Sequence, residues 1–195
     1  MTTTRQRHKL AKPFGTGAMK TIEIERKFLV RNDDWRASAT SAHEIRQGYL
    51  TRGRENSVRV RTINGLSARL TVKFGKRGLS REEYEYDIPY AEAVELLSHA
   101  IGGVVEKTRY TVPHRGVVWE VDVFGGRHDG LTIGEIELNS EESNPSIPKW
   151  LSREVTGDKR YSNRSLARST VAIALNAGSP ATTTARQKPS GSYQD

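Results

Sequence analysis

The chain has 195 residues, a net charge of +8 and no cysteine. This length supports one domain with tails, and the lack of cysteine excludes disulfides and thiolate metal sites. No apolar run is long enough to span a membrane, and the first 20 residues lack the apolar region of a secretory signal. We therefore expect a cytoplasmic protein.

Most of the positive charge lies near the two ends of the chain. Residues 1–20 carry five bases and no acid, and residues 176–195 carry two bases and one acid, which leaves +2 for residues 21–175. We expect residues 20–176 to form the domain, with a disordered basic tail at 1–19 and a disordered tail at 177–195. With so little net charge in the domain, we do not expect a nucleic-acid partner.

Eight segments have the composition and flanking turn residues of β-strands. They are 21–30, 44–52, 57–63, 67–74, 82–89, 104–113, 117–124 and 131–138. Residues 90–103 and 162–178 have helical periodicity, and both stretches end near a glycine. The pattern predicts a mainly β, α+β fold in which eight antiparallel strands form a closed barrel with peripheral helices.

The first strand, TIEIERKFLV, places Glu23, Glu25 and Lys27 on one face, because side chains alternate along a strand. Seven of the eight strands share this division between a charged and a mainly apolar face. The charged faces hold the bases Lys27, Arg59, Arg61, Lys73, Lys107 and Arg109 and the acids Glu23, Glu25, Glu83, Glu85, Glu120, Asp122, Glu135 and Glu137.

Two geometries fit this alternation. In one, the apolar faces form an ordinary core and the charges are solvated. In the other, the charges line a tunnel and the apolar faces pack outward against helices. The charges occur as like-signed pairs two residues apart, as in EIE, RVR, EYE, KTR and EVD. Such pairs repel on a solvated face but can be compensated across a lumen, so we favour the tunnel.

A lumen of this composition suits two kinds of ligand at once. Carboxylate oxygens favour hard divalent cations such as Mg²⁺ or Mn²⁺. Clustered arginine and lysine side chains favour phosphoryl oxygens. A linear polyphosphate bound to a divalent cation uses both sets.

At these residues the sequence resembles the CYTH superfamily, the triphosphate tunnel metalloenzymes, and in particular its small stand-alone bacterial members. The E-x-E-x-K motif at 23–27 is followed, in order, by QGYL, RVR, LTVK, EYEYDIP, EKTRY, WEVDVF, GEIEL and PKWLSREVTGDKRYSN. The resemblance covers about residues 20–175. Gly134 stands where many members have alanine, so a small residue is kept.

The resemblance implies an antiparallel tunnel that hydrolyses or rearranges a triphosphate, with roles as follows. The implied metal-binding residues are Glu23, Glu25, Asp122, Glu135 and Glu137. The implied phosphate-binding residues are Lys27, Arg59, Arg61, Lys73, Lys107 and Arg109, and the supporting carboxylates are Glu83, Glu85 and Glu120. Lys27 and Tyr49 are the implied catalytic pair, with simple packing as the alternative for Tyr49.

We therefore expect a Mg²⁺- or Mn²⁺-dependent inorganic triphosphatase with a small-molecule triphosphate substrate, either a monomer or a homodimer. Three alternatives use the same residues. An adenylate cyclase needs a place for adenine, and no base-binding motif is evident. A thiamine triphosphatase needs an apolar slot at the tunnel mouth. A non-catalytic polyphosphate-binding module has no need of so many carboxylates.

Overall fold

A computed structural model describes residues 19–51, 56–77 and 80–169. The strands in these ranges are β1 (Met19–Val30), β2 (Ser41–Tyr49), β3 (Ser57–Ile63), β4 (Ser67–Arg77), β5 (Ser80–Ile88), β6 (Val105–His114), β7 (Val117–Phe124), β8 (Thr132–Glu137) and β9 (Leu151–Glu154). The helices are α1 (Tyr90–Ser98) and α2 (Asn163–Arg168), with 3-10 turns at Asp34–Ser38, Gly126–His128 and Lys159–Tyr161. None of the described helices is long and apolar enough to cross a membrane.

Eight strands are joined in a ring of antiparallel pairings, in the order β5, β4, β3, β2, β6, β7, β8, β1. β1 completes the ring because Met19–Ile24 pairs with β5 and Glu25–Leu29 pairs with β8. β9 pairs with β1 at Phe28 and Val30, beyond the part that meets β5. The expected mainly β fold built on an eight-stranded antiparallel barrel is confirmed.

Two β-hairpins have their tight turns at residues whose sequence predicts turns. Asn64 and Gly65 join β3 to β4 with φ of 53° and 65°, and Arg115 and Gly116 join β6 to β7 with φ of 46° and 81°. Two successive positive φ values are typical of the type I′ turn, whose twist matches that of the flanking strands. These turns help to set the register in which charged residues of neighbouring strands face one another.

The apolar strand faces point outward and are covered by surrounding segments. Trp35 and Trp150 join Trp119 in a cluster over β1, β6, β7 and β8. On another side of the barrel, Ala93 and Leu97 of α1 pack in a cluster with residues of β3 and β4. The outward core leaves the charged faces to line the interior, as the tunnel interpretation predicted.

Two glycines allow covering segments to approach the strands closely. A Cβ on Gly134 would lie 2.6 Å from Leu151 Cδ2, and a Cβ on Gly48 would lie 2.6 Å from the Cβ of Ala100. Both distances are too short for ordinary contact, so a larger residue at either site would displace its neighbour. Gly134 therefore lets β8 pack closely against the segment that contains β9, and a larger residue there would require Leu151 to shift.

A third apolar cluster occupies one end of the barrel interior, and we call it the plug. Its members are Leu29, Tyr49, Val105, Phe124, Leu131, Ile133, Val155, Tyr161, Leu166 and Ala167. Several of them continue the charged faces by two residues, as Leu29 does after Lys27 and Ile133 does before Glu135. The interior is therefore apolar at this end and mainly charged over the rest of its described length.

The segment that contains α2 covers the plug. The Ser162 hydroxyl caps α2 by accepting a hydrogen bond from the backbone N–H of Ser165 at 3.2 Å. His128 Nε2 lies 2.9 Å from the carbonyl oxygen of Leu166, which ties α2 to the turn after β7. The predicted helix at 162–178 is wrong in length within the described residues, since α2 ends at Arg168 and Ser169 is extended; residues 170–178 lie outside them.

The eight predicted strands are confirmed with shifts at their ends. The strand β9 was not predicted, because a four-residue segment has little periodicity and depends on its pairing with β1. The predicted helix at 90–103 is confirmed in part, since α1 ends at Ser98. The predicted tails at 1–19 and 177–195 lie outside the described residues, apart from Met19 at the start of β1.

Candidate active site in the charged barrel interior

Two walls of unequal charge line the interior beyond the plug. The acid-rich wall, on β1, β6, β7 and β8, holds Glu25, Lys27, Lys107, Arg109, Glu120, Asp122, Glu135 and Glu137. The base-rich wall, on β3, β4 and β5, holds Arg59, Arg61, Arg69, Lys73, Glu83, Glu85 and Asp87. Three bases against five acids give the first wall −2, and four bases against three acids give the second +1.

Arg109 organises the acid-rich wall. Its Nε and Nη2 donate to the two oxygens of Asp122 at 2.6 and 2.7 Å, and Nη2 also donates to Glu135 at 2.7 Å. Its Nη1 donates to Glu120. Asp122 is fully buried and also accepts a hydrogen bond from Lys107 Nζ. One guanidinium thus holds three carboxylates together, and Asp122 in turn fixes Lys107.

Lys27 joins the same network from β1. Its ammonium lies 2.5 Å from a Glu135 oxygen and 3.1 Å from a Glu25 oxygen. Burial lowers the pKa of Lys27, but the charges of Glu135 and Glu25 and their hydrogen bonds outweigh burial and hold that pKa above its usual value. In this arrangement Lys27 is a cation that donates to two carboxylates.

Lys107 has a different electrostatic environment from Lys27. Burial and the nearby charge of Arg109 lower the pKa of Lys107 to about 8, against the opposing effects of Asp122 and Glu135. Burial raises the pKa of Asp122, but Arg109 and Lys107 more than reverse that shift and lower it. A pKa of about 8 leaves Lys107 mostly protonated at neutral pH, and the lowered pKa of Asp122 keeps its carboxyl group ionised.

Three arginines of the base-rich wall lie around Glu85, and one of them, Arg69, also donates to Asp87 at 3.0 Å. Glu85 lies 2.8 Å from Arg61, 3.5 Å from Arg69 and 3.8 Å from Arg59. Arg59 also donates to the hydroxyl of Thr71 at 3.2 Å. Burial and the charge of Arg59 lower the pKa of Arg61 to about 10, with Glu85 only partly opposing them. The four bases and three acids named for this wall leave a net positive charge, which attracts anions.

Lys73 and Glu83 form a separate pair on this wall. The Lys73 ammonium lies 2.7 Å from a Glu83 oxygen, and both side chains are largely buried. The two residues face each other in the register of β4 and β5. This contact orients Lys73 within the lumen, and the supporting role of Glu83 stays a prediction.

Carboxylates face each other across strands at two places on the acid-rich wall, and at one of them, Glu120 with Glu135, Arg109 contacts both side chains. Glu25 and Glu137 are register partners in β1 and β8. Like charges directly opposite each other are destabilising, and both side chains keep some exposure, with Glu25 34% exposed. Their oxygen-only chemistry suits Mg²⁺ or Mn²⁺, so the residues present fit a hard divalent cation.

Within residues 19–51, 56–77 and 80–169, no three carboxylate or imidazole side chains come together as a metal-binding group. The side chain of Glu23 lies outside the described part of the structure, although its backbone pairs with Arg81 in β5. The metal-binding set expected from the sequence therefore stays a prediction.

The structure brings the other expected site residues to the interior, with Tyr49 in a different environment from the rest. Tyr49 belongs to the plug and is largely buried among apolar side chains. It faces Arg59 across β2 and β3. Burial in the plug favours the packing alternative for Tyr49.

Sequence reasoning missed three residues that belong to the interior. Arg69 shares the inward face of β4 with Lys73 and contacts Asp87 of β5 at 3.0 Å, and the alternation along these two strands already carries that signal. Gln47 is 1% exposed and faces Arg61 across β2 and β3. It is neutral, so a search for charged faces does not find it.

The fold and interior define a β-barrel protein whose lumen carries interleaved carboxylates and bases. The family model for the CYTH domain matches residues 21–170. The chain therefore belongs to the CYTH domain family, as its motifs indicated.

Two relatives with a known name match most of the chain. An inorganic triphosphatase of Acetivibrio thermocellus is 46% identical over 147 residues, which cover 75% of this chain and 93% of that protein. An inorganic triphosphatase of Nitrosomonas europaea is 40% identical over 150 residues, covering 74% and 96%. Among solved structures, the inorganic triphosphatase NE1496 matches with a TM-score of 0.59 and 36% identity, over 76% of this chain and 99% of that one.

Proposed function

We propose that this protein is a divalent-metal-dependent inorganic triphosphatase that hydrolyses a phosphoanhydride bond of tripolyphosphate inside the barrel. The observation that carries the proposal is the unequal charge of the two walls, which provides separate places for phosphoryl groups and for a cation in one interior. The two relatives named as inorganic triphosphatases support the choice of substrate.

The base-rich wall binds phosphoryl oxygens in this proposal. Arg59 and Arg61 present guanidinium groups, whose planar donors match phosphate geometry. Glu85 keeps both side chains extended into the lumen through its contacts of 3.8 and 2.8 Å. Because these donors are already in place before substrate arrives, little reorganisation is needed as charge develops on the leaving phosphate.

The acid-rich wall positions further bases and provides the carboxylates for a cation. Asp122 and Glu135 hold Lys107, Arg109 and Lys27 in place. Glu25 and Glu137, together with Glu23 from the E-x-E-x-K motif, would hold Mg²⁺ or Mn²⁺. Such an ion, when bound, neutralises phosphoryl charge and lowers the pKa of bound water.

Lys27 has two possible roles at the substrate, and both are testable. As a phosphate clamp, it would exchange a carboxylate contact for a phosphoryl oxygen while keeping its proton. As a base paired with Tyr49, it would accept a proton from water. A Lys27→Arg variant keeps the charge but cannot act as a base.

The clamp alternative predicts that Lys27→Arg changes mainly KM and keeps the shape of the pH–rate profile. The base alternative predicts loss of most of kcat and of the alkaline limb. Tyr49→Phe is measured beside it, because arginine is also larger than lysine. Normal kcat of Tyr49→Phe at every pH, with the alkaline limb retained in Lys27→Arg, would exclude the catalytic pair.

The proposed substrate is tested by phosphate release from the purified protein. Tripolyphosphate, pyrophosphate, ATP, thiamine triphosphate and long-chain polyphosphate are compared at equal concentration with Mg²⁺ or Mn²⁺, and cyclic AMP is measured in parallel. We expect the highest kcat/KM with tripolyphosphate and no cyclic AMP. A preference for thiamine triphosphate, formation of cyclic AMP, or binding without turnover would each replace the proposal with the corresponding alternative.

A further inference from the structure

A neutral side chain on β2 has the properties of a ligand-binding residue although it lies outside the charged pattern. Gln47 is 1% exposed, and its Nε2 is buried without a hydrogen-bond partner in the described part of the chain. A buried donor left unsatisfied is unfavourable, and most such groups in proteins have a partner. Gln47 therefore has a buried amide N–H donor in the interior that no described residue accepts.

A second donor without a partner lies beside it. Gln47 and Arg61 are register partners in β2 and β3, so their side chains leave neighbouring positions on the same face. Arg61 uses Nη2 to reach Glu85 at 2.8 Å, while its Nε is buried and has no partner among the described residues. Two neighbouring positions of the interior thus present N–H donors that no described residue accepts.

The pairing of β2 also defines where Gln47 lies along the barrel axis. On its other side Gln47 is the register partner of Val105, a member of the plug. Tyr49, two residues further along β2, also belongs to the plug. Gln47 is therefore next to the apolar end, where the interior changes from apolar to charged.

A group that accepts hydrogen bonds and carries negative charge would satisfy these donors. The pKa of Arg61 is lowered by burial and by Arg59, so further positive charge at this point would be unfavourable. A neutral amide adds a hydrogen bond without adding to the repulsion between arginines. That combination suits one oxygen of a phosphoryl group, whose charge is balanced by the arginines.

We propose that Gln47 binds substrate directly, with its Nε2 donating to a non-bridging oxygen of the phosphoryl group that Arg61 holds beside the plug. The proposal rests on the proposed function for the identity of the ligand as tripolyphosphate. It assigns a substrate-binding role to a residue that carries no charge.

The test compares Gln47→Met and Gln47→Glu with Thr62→Val. Methionine keeps the length of the side chain and removes the N–H donors, and glutamate replaces the donor by a charged acceptor. Thr62 lies in the same strand pair, is 4% exposed and faces Arg46 on the outer side. Its variant measures the general effect of altering a buried polar residue of this hairpin.

Each variant is measured by steady-state phosphate release from tripolyphosphate and by calorimetric binding of tripolyphosphate in metal-free buffer. For Gln47→Met we expect roughly a tenfold to hundredfold rise in KM and a matching loss of affinity, the range for a hydrogen bond to a charged group. Gln47→Glu should lose at least as much, because its carboxylate repels phosphate. Thr62→Val should keep both values within about twofold, as expected for a residue that does not touch substrate.

Unchanged KM and affinity in both Gln47 variants would overturn the proposal, as would losses of equal size in Thr62→Val. If the wild type binds tripolyphosphate but does not hydrolyse it, the triphosphatase proposal fails while calorimetry still decides the role of Gln47. If the wild type neither binds nor hydrolyses tripolyphosphate, both proposals fail.

Discussion

The two walls of the barrel use the same residue types for different purposes. On the acid-rich wall, Arg109 contacts Asp122, Glu120 and Glu135, so its positive charge is neutralised by these carboxylates. On the base-rich wall, Arg59 and Arg61 share Glu85, while Arg69 contacts both Glu85 and Asp87. An arginine with several carboxylates is part of the scaffold, whereas arginines that share one carboxylate retain attraction for a ligand.

This difference separates stability from binding across one interior. Removing a base from the acid-rich wall leaves buried carboxylates without that partner and should destabilise the fold. Removing a base from the base-rich wall relieves repulsion between cations and should mainly weaken binding. The lowered pKa of Arg61, caused by burial and then by Arg59, shows that such repulsion is present.

The largest expected effect is on the acid-rich wall. Arg109→Leu leaves the fully buried Asp122 with Lys107 alone and should lower the free energy of unfolding by about 3–5 kcal/mol, the usual cost of breaking a buried ion pair. Activity should be lost with it. Denaturant unfolding measures the change, and Arg160→Leu, from an exposed pair with Asp158, is the control. Equal stability of the two variants would contradict the scaffold role of Arg109.

Arg61→Met tests the opposite wall. We expect KM for tripolyphosphate to rise roughly tenfold to hundredfold, since a charged hydrogen bond to phosphate is lost. The free energy of unfolding should change by less than about 1 kcal/mol, because Glu85 keeps Arg59 and Arg69 as partners. Steady-state kinetics and denaturant unfolding are measured on the same preparation. A destabilised variant with unchanged KM would reverse the assignment of the walls.

Glu137→Gln tests the proposed cation site independently of the binding of phosphoryl groups. The amide keeps the size of the side chain but removes the charge that faces Glu25, so the Mg²⁺ concentration for half-maximal activity should rise at least about tenfold. Arg61→Met serves as the matched comparison, with an unchanged requirement for Mg²⁺. An unaltered Mg²⁺ requirement in both Glu137→Gln and Glu25→Gln would remove this pair from the proposed metal site.

The smallest expected effect comes from an ion pair outside the lumen. The hydrogen bond from Arg26 lowers the pKa of Glu154, against a smaller opposing effect of burial. A lowered pKa in the folded state adds stability above the unfolded pKa of about 4.3. This stability is lost as pH falls through the lowered value.

Because the Arg26–Glu154 pair is partly exposed, its contribution should be only about 0.2–1 kcal/mol. Wild type and Glu154→Gln are compared by denaturant unfolding at pH 7 and pH 3, and the difference between them should shrink at the lower pH. A difference of the same size at both pH values would show that the carboxylate charge of Glu154 does not contribute to stability.

Alternation along single strands was enough to predict which faces line the interior. It places Glu25 with Lys27 and Arg59 with Arg61 without knowledge of any partner strand. It did not predict which acid meets which base, because the contact of Lys27 with Glu135 spans 108 residues and depends on the register of β1 and β8. The division into two walls is therefore a property of the pairing order.

The plug shows a second limit of the sequence. Leu29 and Ile133 continue charged faces with apolar side chains, but only the ring of strands shows that they meet inside one end of the barrel. Tyr49 belongs to the same group, which explains why its position on β2 alone could not distinguish catalysis from packing. The structure identifies Gln47 as a candidate ligand-binding residue because it is buried and its Nε2 has no partner among the described residues.

The most direct test of the division between the walls is a crystal structure with Mn²⁺ and a non-hydrolysable imidotriphosphate. The anomalous signal of manganese locates the cation independently of the phosphorus atoms. We expect manganese between Glu25 and Glu137 and at least one phosphoryl group against Arg59 and Arg61. Manganese bound by Glu83 or Glu85, or phosphoryl groups held only by the acid-rich wall, would contradict the division.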